Sequence, residues 1–186
     1  MIYSLVSSVV AFIATNIDDM FINMLLFASA KEKKDNFAIV LGKYLGTGVL
    51  VTVSVMAGFG AQAIIGDYIH LLGVVPIFLG LKEIYSNIKG SDDEQISIGG
   101  KYILSTALIT VANGADNVGV YVPLFAQFSA YQLGVMAVVF CVMTALWCFL
   151  GKMVTNLPVI KNIMEKYSTI ITPLVYISLG VYILFF

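Results

Sequence analysis

Two clusters of acidic and amide residues interrupt long apolar runs in this chain, and the two clusters match each other. The first is Ala14–Asp19 (ATNIDD) and the second is Ala112–Asn117 (ANGADN). Aligning Asp18 with Asp116 also brings the flanking residues into register. An ionisable residue at membrane depth costs about 2.5 kcal/mol or more, so such residues usually mark functional sites. The pattern predicts a duplicated unit with one acidic position in each copy.

The composition predicts an integral membrane protein. The chain has 186 residues, of which 60% are hydrophobic and 11% charged, more apolar than a soluble domain of this length requires. All ten basic residues are lysines and the net charge is −1, which argues against a nucleic-acid partner. Cys141 and Cys148 are too far apart along one helix to form a disulfide.

Six segments have the apolar character of a membrane span, which needs about 20 residues. They are Ile2–Ala30, Phe37–Ile65, Tyr68–Tyr85, Tyr102–Phe128, Leu133–Leu150 and Tyr167–Phe186. The first and fourth each consist of two half-length apolar pieces joined by an acidic cluster. We therefore expect an all-α membrane protein of six helices, the first and fourth broken at the acidic motifs.

The lysines predict the orientation. They flank only the first, third and fifth loops: Lys31, Lys33, Lys34 and Lys43; Lys82, Lys89 and Lys101; Lys152, Lys161 and Lys166. The positive-inside rule places these loops in the cytoplasm and both termini outside a multi-pass plasma-membrane protein.

A duplicated unit of three spans must insert in opposite orientations, because three is odd. The expected halves of the single transmembrane domain 1–186 are residues 1–88 and 101–186, joined by a cytoplasmic linker at 89–100. Leu79-Gly80 and Leu179-Gly180 support the duplication. Many secondary transporters have this inverted-repeat plan, with a site near the midplane on broken helices.

The spacing of the polar residues predicts that they converge. Thr15, Asp18 and Asp19 lie at positions i, i+3 and i+4, as do Asn113, Asp116 and Asn117, so each set should share a helix face. Asn16 and Asn23 extend the first set. Carboxylates, amides and backbone carbonyls without helical hydrogen bonds make an oxygen-rich cation site. An anion site would need donors or a buried basic residue.

The charge of the clusters favours a divalent ion exchanged for protons. Three ionised aspartates beside a doubly charged ion leave one excess negative charge, whereas the empty site would leave three. Such a site would tend to take up protons, because like charges in a low dielectric disfavour ionisation.

Softer ligands are a second possibility at the same site. The candidates are Met20, Met24, Cys141 and Cys148. Sulfur ligands would favour a soft ion such as Cd²⁺, but Met and Cys are also ordinary packing residues. The sequence leaves both interpretations open.

Five segments spread over the chain carry a resemblance to a known family. They are Phe12–Asp19, Leu41–Gly48, Leu71–Lys82, Thr110–Phe125 and Tyr176–Tyr182. Together they resemble the cadmium-resistance transporters of the lysine-exporter superfamily.

The resemblance implies a non-enzymatic exporter of divalent metal with six helices in two inverted halves. It matches Asp18 and Asp116 to the family's acidic positions and names Cd²⁺ as cargo. Where some family members carry a cysteine, this chain has Asn113, so Mn²⁺, Zn²⁺ and Ca²⁺ are further candidates. We expect the metal ion and protons as substrates, the lipid bilayer as surroundings, and no resident cofactor; a homodimer stays open.

Two functions other than metal export were also considered from the sequence. The wider superfamily includes exporters of lysine-type amino acids, whose cationic side chains also suit carboxylates. An intramembrane aspartyl protease would use two aspartates on separate helices, but its Gly-x-Gly-Asp pattern differs from Asn113–Asp116 here.

Overall fold

The computed structural model describes residues 2–17, 19–89, 102–155 and 158–185, and these residues form helices without any strand. The α-helices are α1 (Ile2–Asn16), α2 (Asp19–Ser29), α3 (Lys33–Ile65), α4 (Val74–Lys89), α5 (Tyr102–Ala112), α6 (Ala115–Ala126), α7 (Ala130–Val154) and α8 (Pro158–Phe185). A 3₁₀-helix, Gly66–Gly73, precedes α4.

The two long helices α3 and α7 begin in the same way. Glu32 caps α3 and Ser129 caps α7, each forming a reciprocal capping box with the residue three positions later, Asp35 and Gln132 respectively. A capping box pairs two backbone N–H groups that would otherwise lack partners. The two long helices thus begin with similar local chemistry.

Helix lengths identify a membrane protein. Within the described residues, α3 and α7 are long and apolar enough to cross a membrane, and the bent pair α1–α2 adds a third candidate span. Shorter apolar helices cover Tyr68–Lys82, Tyr102–Ala112 and Pro173–Phe185. The all-helical class is confirmed, and the number of six spans stays a prediction.

The main packing partners of each helix lie in the other half of the chain. Helix α3 runs along α5 and α6, α7 runs along α1 and α2, and α4 packs against α8. Gly42 and Gly46 of α3 lie against Thr106 and Thr110 of α5, so these helices are parallel. If α1–α4 are exchanged in order with α5–α8, the same helix pairs result.

Helices α4 and α8 cross through reciprocal glycine contacts. A Cβ on Gly80 would lie 2.8 Å from both the Pro173 carbonyl oxygen and an Ile177 side-chain carbon, whereas one on Gly180 would lie 2.5 Å from the Gly73 oxygen. Gly180 also faces Ile77. Gly180 thus meets positions 73 and 77, and Gly80 meets positions 173 and 177, as expected for antiparallel helices.

The predicted segments fall on the observed helices with some shifts at their ends. The largest shift is in α8, which begins at Pro158 although its predicted apolar span begins at Tyr167. A span is recognised by apolar residues, whereas the helix continues through the polar residues that precede it. The predicted linker lies outside the described residues from position 90 onward.

Candidate cation site

The first helix break occurs inside the first acidic cluster. Helix α1 ends at Asn16, α2 begins at Asp19, and the two helices are bent by 65°. The end of a helix leaves backbone carbonyls without helical partners. The indole Nε1–H of Trp147 donates to the Asn16 carbonyl oxygen at 2.6 Å and satisfies one of them. Asp18 lies outside the described residues.

The second break occurs inside the second cluster. Helix α5 ends at Ala112 and α6 begins at Ala115, with Gly114 between them. A Cβ on Gly114 would collide with the side chain of Leu50 on α3.

Each carboxylate sits in the first turn of the half-helix that follows its break. Asp19 opens α2 and Asp116 is the second residue of α6. The positive end of the helix dipole stabilises negative charge at this position.

The Tyr121 hydroxyl connects the two breaks. It lies 2.7 Å from Thr15 Oγ1 and accepts from Asn16 Nδ2 at 3.2 Å. Asn16 also donates to Thr15 Oγ1 at 3.0 Å, and all three side chains are buried. Tyr121 of α6 therefore fixes the polar end of α1.

Asn117 extends this network to Asp116. In the amide orientation that satisfies its neighbours, Asn117 Nδ2 donates to the Thr15 carbonyl at 3.2 Å and to Asp116 Oδ1 at 3.1 Å. Its Oδ1 accepts from the Tyr121 hydroxyl at 3.2 Å. The other Asp116 oxygen, Oδ2, accepts from the Tyr176 hydroxyl at 2.6 Å. Side chains of α6 and α8 thus orient this carboxylate.

Asp19 forms a buried ion pair with Lys43. Lys43 Nζ lies 2.8 Å from Asp19 Oδ2, and the two side chains are only 2% and 9% exposed. The sequence placed Lys43 with the loop lysines, and it predicted a site without a buried basic residue. Both expectations are wrong for Lys43, because its ammonium turns into the protein at the acidic cluster.

The two described carboxylates are near enough to interact electrostatically. In the part of the chain that the structure describes, no three His, Cys, Asp or Glu side chains group closely enough to hold a metal ion. A cation between Asp19 and Asp116 would therefore need further oxygen ligands, such as amides and carbonyls. Thr15, Asn16 and Asn117 lie in the network that joins these breaks.

Two of the predicted residues face elsewhere. Asn113 is exposed, because the break at residues 113–114 takes it out of the helical register that Asp116 and Asn117 share. Cys141 is exposed on α7, where its carbonyl accepts from the Tyr44 hydroxyl at 2.8 Å. The shared inner face predicted for Asn113 is therefore absent.

The remaining sulfur and amide candidates are more interior. Met20 packs in the main apolar core, and Met24 is partly buried. Cys148 is buried beside Leu26, Phe27 and Ile39, near enough to Lys43 for an electrostatic interaction. Asn23 is fully buried one turn after Asp19.

Four residues of this network were missed from the sequence: Tyr121, Tyr176, Lys43 and Trp147. Tyr121 had a usable signal, since it lies one turn after Asn117 and thus on the same face of α6. Lys43 and the two remaining aromatic residues reach the breaks from helices that are distant in sequence, and no local spacing indicates them.

No curated protein and no solved structure matches the chain. Residues 12–186 match the family of the cadmium resistance transporter, a match that covers nearly the whole chain. This match confirms the resemblance that the five segments carry. The chain belongs to the cadmium resistance transporter family.

Proposed function

We propose that this protein is a secondary transporter that exports a divalent metal ion, Cd²⁺ or a related ion, from the cytoplasm in exchange for protons. The ion binds between Asp19 and Asp116, with Asp18 and the amide and carbonyl oxygens at the breaks as further ligands. The family match favours metal transport over amino-acid export and over proteolysis.

One observation carries the proposal: two buried or partly buried carboxylates open half-helices that follow breaks in different halves of the chain. Asp19 and Asp116 are close enough to interact, and Tyr121 and Asn117 bridge their two breaks. An ionisable carboxylate within a membrane is costly in free energy, so such residues usually mark ion pathways.

The packing supports an inverted repeat as the source of the transport motion. Each long helix runs along the broken pair of the other half, and α4 crosses α8 reciprocally. Transporters of this plan rock one repeat against the other around a fixed midplane site. In this proposal the same motion opens the site first to the cytoplasm and then to the outside.

The buried lysine refines the charge argument. Three aspartates and one ammonium have a net charge of −2, which a single divalent ion neutralises. Oxygen ligands suit Mn²⁺, Ca²⁺ and Cd²⁺ alike. Met20 packs in the apolar core, whereas Cys148 is a buried sulfur that interacts electrostatically with Lys43.

Uptake into proteoliposomes tests the function. We expect purified protein to transport Cd²⁺, and in parallel assays Mn²⁺, Zn²⁺ or Ca²⁺, with a rate that increases when a pH gradient is imposed. Lysine should be neither transported nor exchanged. Lysine counterflow without metal flux would contradict the proposal, and metal flux that ignores the pH gradient would remove only its proton coupling.

A further inference from the structure

The Lys43 ammonium is a cation that already lies at the candidate cation site, paired with Asp19. A buried ammonium 2.8 Å from a carboxylate neutralises much of the negative charge to which an incoming ion would bind. Lys43 comes from α3, whereas Asp19 opens α2, so the pair also ties a long helix to a break. A metal ion that uses Asp19 must therefore compete with Lys43.

We propose that Lys43 is a tethered counter-cation that occupies Asp19 in the empty transporter and makes the site selective for divalent over monovalent ions. This inference rests on the proposed function. A monovalent ion offers the carboxylate no more charge than the ammonium already does. A divalent ion offers twice the charge, so its Coulomb attraction to the carboxylates is doubled at the same distance.

The displaced ammonium needs an acceptor, and Asn23 supplies one. Asn23 lies one turn after Asp19 on α2, and positions four apart share a helix face. Its side chain is fully buried, with neither amide atom hydrogen-bonded within the described residues. It lies against Gly151 of α7, one turn beyond Cys148, which is within the electrostatic reach of Lys43.

An unpaired buried amide is unfavourable in a folded protein, so a hydrogen-bond partner in another state of the transporter would stabilise Asn23 there. In this inference, Asn23 Oδ1 accepts from Lys43 Nζ when a divalent ion occupies Asp19. The ammonium keeps its charge and its proton throughout and changes only its partner.

Lys43→Gln separates selectivity from folding, because glutamine removes the charge but still donates a hydrogen bond to Asp19. We expect Lys43→Gln to bind Cd²⁺ at least tenfold more tightly than wild type, about 1.4 kcal/mol. We also expect excess Na⁺ to weaken its Cd²⁺ binding, whereas wild type should be insensitive. Lys34→Gln, which removes an exposed lysine charge, should match wild type.

The Asn23→Leu variant tests the acceptor in a double-mutant cycle with Lys43→Gln. Asn23→Leu should weaken Cd²⁺ binding in wild type and have no effect in the Lys43→Gln background. Equal weakening in both backgrounds would make Asn23 a metal ligand and overturn its role as acceptor.

Wild-type protein provides a measurement that does not depend on any variant of Lys43 folding well. In protein labelled with ¹⁵N at lysine Nζ, the Lys43 resonance, identified by its loss in Lys43→Arg, should shift when Cd²⁺ binds. An unshifted resonance in Cd²⁺-bound protein, or Lys43→Gln with unchanged affinity and no Na⁺ competition, would overturn the inference while leaving the proposed function intact. Wild type that binds no divalent ion would contradict the proposed function itself.

Discussion

At the scale of single residues, the Tyr121 hydroxyl connects the polar side chains of the two helix breaks. It is fully buried and contacts Thr15, Asn16 and Asn117, which come from both breaks. Asn117 in turn donates to Asp116. Removing this hydroxyl would leave several buried polar groups with one partner fewer.

We predict that Tyr121→Phe destabilises the protein by about 1–3 kcal/mol, the cost of leaving buried polar groups unsatisfied. Because Asn117 then loses a partner that orients it, Cd²⁺ affinity should also fall. Thermal unfolding in detergent and equilibrium Cd²⁺ binding measure the two effects. Tyr68→Phe, which removes a hydroxyl from an exposed tyrosine, is the matched control. Equal melting temperatures of the two variants would contradict the role of Tyr121.

The polar residues close to the acidic motifs could be predicted from the sequence, and Lys43 could not. Short polar residues within apolar runs are expected to be buried, and this applies to Thr15, Asn16 and Asn117. A lysine near the end of an apolar run normally extends towards the membrane surface. Only the packing of α3 on α2 turns Lys43 inward, and that contact is not local in sequence.

At the scale of elements, the breaks and the helix crossings control where the carboxylates lie. The breaks could be predicted because polar residues divide two apolar runs into halves. The match of Gly80 with Gly180 supported the duplication, but it did not predict that α4 crosses α8. The crossing, with Gly73 and Pro173 as the facing residues, becomes visible only in the packing.

We predict that Gly180→Ala separates α4 from α8 and lowers both stability and transport. The added Cβ would lie 2.5 Å from the Gly73 backbone oxygen, which cannot move as a side chain can. Overpacking of this kind costs about 1–3 kcal/mol. Helix α8 also carries Tyr176, one turn before Gly180, so its displacement would weaken the hydrogen bond to Asp116.

The matched control for this substitution is Gly134→Ala on α7. A Cβ there meets nothing within 4 Å, and alanine is the better helix former by about 1 kcal/mol. Gly134→Ala should therefore leave stability unchanged or raise it. If both variants unfold at the same temperature as wild type, the crossing does not depend on close glycine packing.

At the scale of the whole molecule, an inverted repeat requires opposite orientations of the two halves. The exchange of packing partners and the loop lysines favour this arrangement independently of each other. Single cysteines in a chain with both native cysteines replaced would report it. We expect Glu32→Cys and Lys152→Cys to react with an impermeant thiol reagent only from the cytoplasmic side. His70→Cys and Tyr131→Cys should react only from outside, and a reversed or mixed pattern would contradict the inverted repeat.

In the proposed site, one divalent ion binds between the two halves, on carboxylates supplied by both. Equilibrium binding of Cd²⁺ to purified wild type, Asp19→Asn and Asp116→Asn measures this, with Glu32→Gln as the exposed-carboxylate control. We predict one ion per chain in wild type and in Glu32→Gln, with binding lost in each of the two site variants while all four proteins remain folded. Wild-type affinity in either Asp19→Asn or Asp116→Asn would contradict a site shared by both halves.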